Sequence, residues 1–190
     1  MIDKITEINK QGAEKTAKNL SSLLDTKVTV DIAHATLKKV VDIGESFDPE
    51  EIVAGVYLPV TGEIKGASLF ILPREFAFLM TDLLLKQKPG TTRSIDELAM
   101  SALQETGNII SGCYLSTFSN ILKIKLIEHI PQFSFDMFGA ILEQIVSSFA
   151  AKADEALFIE IRYNVFHEKI KAYFLLLFYT EEIKLFLDKQ

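Results

Sequence analysis

Ser101, Glu105 and Asn108 stand at i, i+4 and i+7, and Pro131 follows Asn108 after 22 residues. On a helix this spacing places a hydroxyl, a carboxylate and a carboxamide on one face, with residues seven apart nearly above one another. A carboxylate can engage a cation on another molecule. A carboxamide donates and accepts at once, so it can hold a water in one orientation. The three groups read as a site offered to a partner's surface from a rigid element. Glu-x2-Asn alone is common on the solvated face of an amphipathic helix, so the spacing takes its meaning from the elements around it.

Those elements repeat. Glu7 and Glu105 are 98 residues apart, and at the same offset Leu20-Ser21-Ser22-Leu23-Leu24 lies over Phe118-Ser119-Asn120-Ile121-Leu122. Ile64-Lys65-Gly66-Ala67 lies over Ile170-Lys171-Ala172-Tyr173 at an offset of 106. The chain therefore reads as one domain, 1–190, made of two repeats, about 1–88 and 94–190, joined by the polar, Pro-Gly-containing segment 86–93. Each repeat is expected to give a long helix, a strand, a loop or second helix, two strands joined by a turn, and a short closing helix. Residues 52–60 and 64–72 flank Thr61-Gly62-Glu63 as a hairpin, with Pro73 ending the second strand. Residues 156–166 and 170–179 repeat this around His167-Glu168-Lys169. Ser94 with Glu97 predicts a capping box at the start of the site helix. Leu98, Ala102, Ile109 and Cys113 predict its core-facing stripe, and 122–130 predicts a strand ended by Pro131. Gly107 and Gly112 each cost about 1 kcal/mol relative to alanine inside a helix. Close packing against the sheet or the paired helix would account for them, as would clearance for a docking partner beside Asn108.

Composition limits the functions open to such a chain. Its 190 residues are 48% hydrophobic and 24% charged, enough to bury a sizeable core. The net charge of −6 gives no basic field to displace counterions from phosphates, so no nucleic-acid partner is expected. The longest apolar run, 172–179, falls well short of the roughly 20 residues of a membrane helix, so no membrane insertion is expected. The N-terminus lacks the apolar block of a signal peptide, and Cys113 is the only cysteine, which together point to a reducing cytoplasm. Cys113 is read as a small buried hydrophobe and the phenylalanines as core. His34, His129 and His167 form no metal-ligand spacing, and no metal or cofactor of the chain's own is expected. His129 is the histidine that could line the site. There is no phosphate-cradling glycine loop and no nucleophile elbow.

The string Ser101-Ala-Leu-Gln-Glu105-Thr-Gly-Asn108, followed after 22 residues by Pro131, resembles the signature of the CheC/CheX/FliY chemotaxis phosphatases, (Asp or Ser)-x3-Glu-x2-Asn-x22-Pro. Gly55-Val56-Tyr57-Leu58, Asp82-Leu83-Leu84-Leu85 and Asp136-Met137-Phe138-Gly139 are also similar to CheC proteins, and the likeness covers nearly the whole chain. It implies a mixed α+β, CheC-like fold with pseudo-twofold duplication: two long helices on a shared, mostly antiparallel six-stranded sheet. It implies a cytoplasmic phosphatase of two-component signalling, hydrolysing the aspartyl phosphate of the response regulator CheY. The leaving group is a carboxylate, so catalysis consists largely of placing water in line with phosphorus. In that reading Asn108 orients the water and Glu105 pairs with the regulator's lysine. Ser101 and Pro131 support the site, and Mg2+ belongs to the partner's active site.

The first repeat departs from the signature. Asp3 and Glu7 match, but Lys10 replaces the asparagine and Ala33 the proline. Lysine cannot accept a hydrogen bond, and at i+3 it can pair with Glu7. Asn9 is about 100° around the helix and cannot substitute. One active site is therefore expected, with Asp3, Glu7 and Lys10 a degenerate copy. The alternative is a non-catalytic adaptor that binds CheY, as flagellar-switch proteins of related fold do, or that binds the deamidase CheD. Asn108 is the residue that favours catalysis.

Overall fold

The structure is a computed structural model that describes residues 2–149, 155–165, 168–179 and 182. Its first half runs α1 (Ile2–Leu23), β1 (Val28–Lys39), a 3-10 segment (Val40–Ser46), β2 (Ile52–Gly62), β3 (Gly66–Pro73) and α2 (Arg74–Leu84). Its second half runs α3 (Glu97–Leu122), β4 (Leu126–Glu128), β5 (Gln132–Met137), α4 (Phe138–Phe149), β6 (Glu155–Val165) and β7 (Glu168–Phe178). The expected closing helix of the second repeat and the turn residue His167 lie outside the described residues.

The strands form one antiparallel sheet in the order β1-β6-β7-β3-β2, with β4 and β5 sharing the outer edge of β2. The sheet has seven strands where six were expected, because one edge strand is broken in two; it is six strands wide. The order is symmetric about the β3/β7 pair, and each half lends its first strand to the other: β1 pairs with β6, and β5 with β2. This is the pseudo-twofold α+β fold that the resemblance implied.

The period of two along each strand builds two cores. On β7, Ala172, Phe174, Leu176 and Phe178 point to the side that receives Ile8 and Leu20 of α1, and Leu103, Ile110, Tyr114 and Phe118 of α3. Tyr173, Leu175 and Leu177 point to the other, against Ile43 and Phe47 and against Phe138, Ile141 and Ile145 of α4. Both faces of the sheet are covered, so β3 is buried along its whole length, which its unbroken sequence Gly-Ala-Ser-Leu-Phe-Ile-Leu-Pro fits.

Three local expectations about α3 are corrected. Its N-cap is Asp96, not Ser94: the Asp96 carboxylate accepts from the Ala99 amide at 2.8 Å. Its buried stripe is Ala99, Leu103, Thr106, Gly107, Ile110, Cys113 and Tyr114; of the four residues expected there only Cys113 is buried, and Leu98 is 62% exposed. The helix continues to Leu122 and closes on Lys123 in the left-handed conformation (φ 58°), so the strand expected over 122–130 shrinks to Leu126–Glu128.

The expected linker is no loose tether. The buried Asp82 carboxylate near the end of α2 accepts from the amides of Gly90 (2.7 Å), Thr91 (3.1 Å) and Thr92 (2.8 Å) and from the Thr92 hydroxyl (2.5 Å). Burial alone would raise its pKa, and these four bonds together outweigh that and lower it.

Candidate functional site

α3 holds Ser101, Glu105 and Asn108 on the face turned away from the sheet. Ser101 and Glu105 are exposed and Asn108 is half-buried, and among the described residues none of the three side chains makes a hydrogen bond. Ser101 therefore stands as a solvated serine rather than an anchor for the Glu105 carboxylate. The carboxylate and carboxamide are unengaged and one turn apart, as a site that acts on another molecule requires.

The helix can hold this face steadily because its opposite face is locked to the sheet. A Cβ on Gly107 would lie 2.5 Å from Val56 Cβ of β2, so the helix approaches the strand as closely as a bare backbone allows. Close packing is thus the reason for Gly107. Gly112 is different: a Cβ there would meet nothing nearer than Glu128 Oε2 at 3.4 Å. Across the helix pair, a Cβ on Gly12 of α1 would strike the Tyr114 ring at 2.5 Å. Beside it Asn19 Nδ2 donates to Cys113 Sγ at 3.1 Å, and burial pushes that thiol's pKa up. Cys113 is the buried hydrophobe the sequence suggested.

Pro131 lies between β4 and β5, half-buried, and its carbonyl accepts from Gln104 Nε2 at 2.7 Å. Sequence reasoning missed Gln104, because its partner is 27 residues away and no local pattern announces the contact. His129 faces β2: its Nε2 is 2.9 Å from Thr61 Oγ1, and its amide donates to the Pro59 carbonyl at 3.0 Å. Glu128, on the exposed edge strand with its carboxylate near Gly112, has its pKa raised by desolvation and pulled back in part by Lys15.

In the first repeat, Asp3 stands on α1 but its side chain lies outside the described residues, as does that of Ala33. Glu7 and Lys10 are exposed and form no ion pair with each other among the described residues; instead the Glu7 carboxylate accepts from Gln11 Nε2 one turn on. The expected competition for Glu7 exists, but an amide and not the lysine supplies it. Asn9 is buried on the inner face, so it cannot stand in for the missing amide.

A long two-helix layer on a pseudo-twofold antiparallel sheet, with an unengaged Glu/Asn pair on its second helix, defines a CheC-like architecture. The model of the CheC-like family matches residues 98–128, which include Ser101, Glu105 and Asn108. The chain is 26% identical over 166 residues to the CheY-P phosphatase CheC of Bacillus subtilis (strain 168), covering 84% of this chain and 78% of that protein. Its fold is similar to that of Thermotoga maritima FliY (TM-score 0.76, 19% identity, 99% of this chain and 96% of that one). It is also similar to a chain of the CheX-CheY-BeF3-Mg2+ complex from Borrelia burgdorferi (TM-score 0.58, 16% identity, 92% and 97%). These comparisons agree with the resemblance read from the sequence: the helix that carries Ser101, Glu105 and Asn108 matches the CheC-like family model, and the fold is the one shared with FliY and the CheX-CheY complex chain.

Proposed function

We propose that this chain is a one-site phosphatase for the aspartyl phosphate of a CheY-type receiver, working in the cytoplasm as a single domain of two repeats. The observation that carries the reading is the unengaged Glu105/Asn108 pair on the outward face of α3. Asn108 holds a water in line with phosphorus, its carbonyl accepting from the water while its amino group donates toward the phosphoryl oxygens. Glu105 pairs with the receiver's lysine and so fixes where Asn108 enters. The receiver's own Mg2+ screens the phosphoryl charge, and the chain supplies orientation. A hundredfold acceleration needs about 2.7 kcal/mol, within reach of one well-placed amide.

The test is phosphate release from a phosphorylated CheY receiver with and without this protein. Acceleration is expected with the wild type and its loss, by about a hundredfold, in Asn108→Ala, while binding of the receiver persists. Binding without acceleration by the wild type would sink the enzyme reading and leave an adaptor. CheD affinity is a separate proposal, tested by direct titration of CheD into the same preparation.

A further inference from the structure

The edge strand beside the site is broken for a physical reason. β4 pairs Glu128 with Val60, and β5 pairs Gln132 with Tyr57. Between them His129, Ile130 and Pro131 face only Leu58 and Pro59, so the edge carries one residue too many. Pro59 accepts the His129 amide through its carbonyl but has no N–H to return, and Pro131 has none to give. The ladder fails there and the chain bulges outward, leaving Ile130 82% exposed.

This segment comes up against α3 at two points, one of them a hydrogen bond. Gln104 Nε2 holds the Pro131 carbonyl at 2.7 Å, and the Glu128 carboxylate lies over Gly112. Gln104, Asn108 and Gly112 are i, i+4 and i+8, one column along the helix. Asn108 therefore sits midway along the helix between these two points, and His129 and Ile130 are the residues of the edge segment that lie between them.

The geometry points to Gln104 as a positioning residue: it clamps the Ile130–Pro131 bulge against α3, so that Ile130 forms an apolar contact for the receiver beside Asn108. This rests on the receiver reading above. The occupant follows from place: Ile130 is exposed on the segment that flanks the helix column of Asn108, so a receiver presenting phosphorus to Asn108 is the molecule positioned to meet it. An exposed isoleucine on a clamped bulge can contribute docking energy without the entropy of ordering a loose loop.

The experiment measures the Kd of a CheY receiver loaded with Mg2+ and beryllofluoride, together with its phosphate-release kinetics. Ile130→Ser, on the surface and away from the core, is expected to raise Kd and KM by about five- to tenfold with kcat nearly kept, and Gln104→Ala by a smaller factor in the same sense. Because Gln104 acts through Ile130, the double variant is expected to match Ile130→Ser alone; a residue that merely stabilised the fold would multiply its effect. An unchanged Kd in Ile130→Ser, or effects that multiply, overturns the inference. Asn108→Ala separates the two readings: if it still accelerates phosphate release, the hydrolytic role fails while the Kd series goes on deciding the bulge.

Discussion

At the scale of single residues, the two glycines of α3 make opposite predictions. Gly107→Ala would drive a methyl into Val56 and is expected to destabilise by about 1–3 kcal/mol, lowering the melting temperature and shifting the helix that carries Asn108. Gly112→Ala meets only an ordinary contact with Glu128, so the gain in helix propensity should prevail, raising stability by up to about 1 kcal/mol. Thermal unfolding of the two variants checks both signs. The sequence showed two costly glycines and both kinds of explanation, but it could not tell which glycine faced a wall. The same limit hid the stripe: α3 buries Thr106, Gly107 and Ser111 while exposing Leu98 and Met100. A count of apolar residues at helical spacing therefore chose the wrong face. Glu105 and Asn108 could be singled out without knowing burial, because the reading of them rests on chemistry and spacing; the structure adds that both side chains are unengaged.

At the scale of elements, the Asp82 clamp fixes the connection between the halves, and with it the start of α3. Asp82→Asn would turn an amino group toward amides that need an acceptor, at an expected cost of about 2–3 kcal/mol. Because the bonds lower the folded-state pKa, the charged form contributes stability that is complete above the group's ordinary value of 3.8 and is lost as pH falls through and below it. Urea unfolding of wild type and Asp82→Asn should show the gap at pH 7 narrowing toward pH 3. The hairpins and the two long helices were legible from periodicity and turn chemistry. The clamp and the broken edge at Pro59 were not, because each depends on which strand or helix a residue meets across the fold.

At the scale of the whole molecule, the two halves are alike in topology and unlike at their helices. Lys10 replaces the amide, and Gln11 occupies the carboxylate of Glu7, where the equivalent position in the second half, Ile109, has no polar side chain to do so. In an Asn108→Ala background, Lys10→Asn alone is therefore expected to restore no phosphatase activity, and Lys10→Asn with Gln11→Ile a measurable fraction; recovery by the single change would show that Gln11 is no obstacle. The exchange of β1 and β5 explains how such asymmetry can exist. A repeat made as a separate polypeptide would have its first strand completing another copy's sheet, so it would be stable only as a dimer whose population depends on concentration. Joining the copies through residues 85–96 replaces that dependence with an effective concentration of millimolar order. It also releases the copies from identity. In a dimer of one repeat every substitution falls on both helices at once, so losing the amide anywhere loses it everywhere; in the fused chain one helix can trade it for a lysine while the other keeps Asn108.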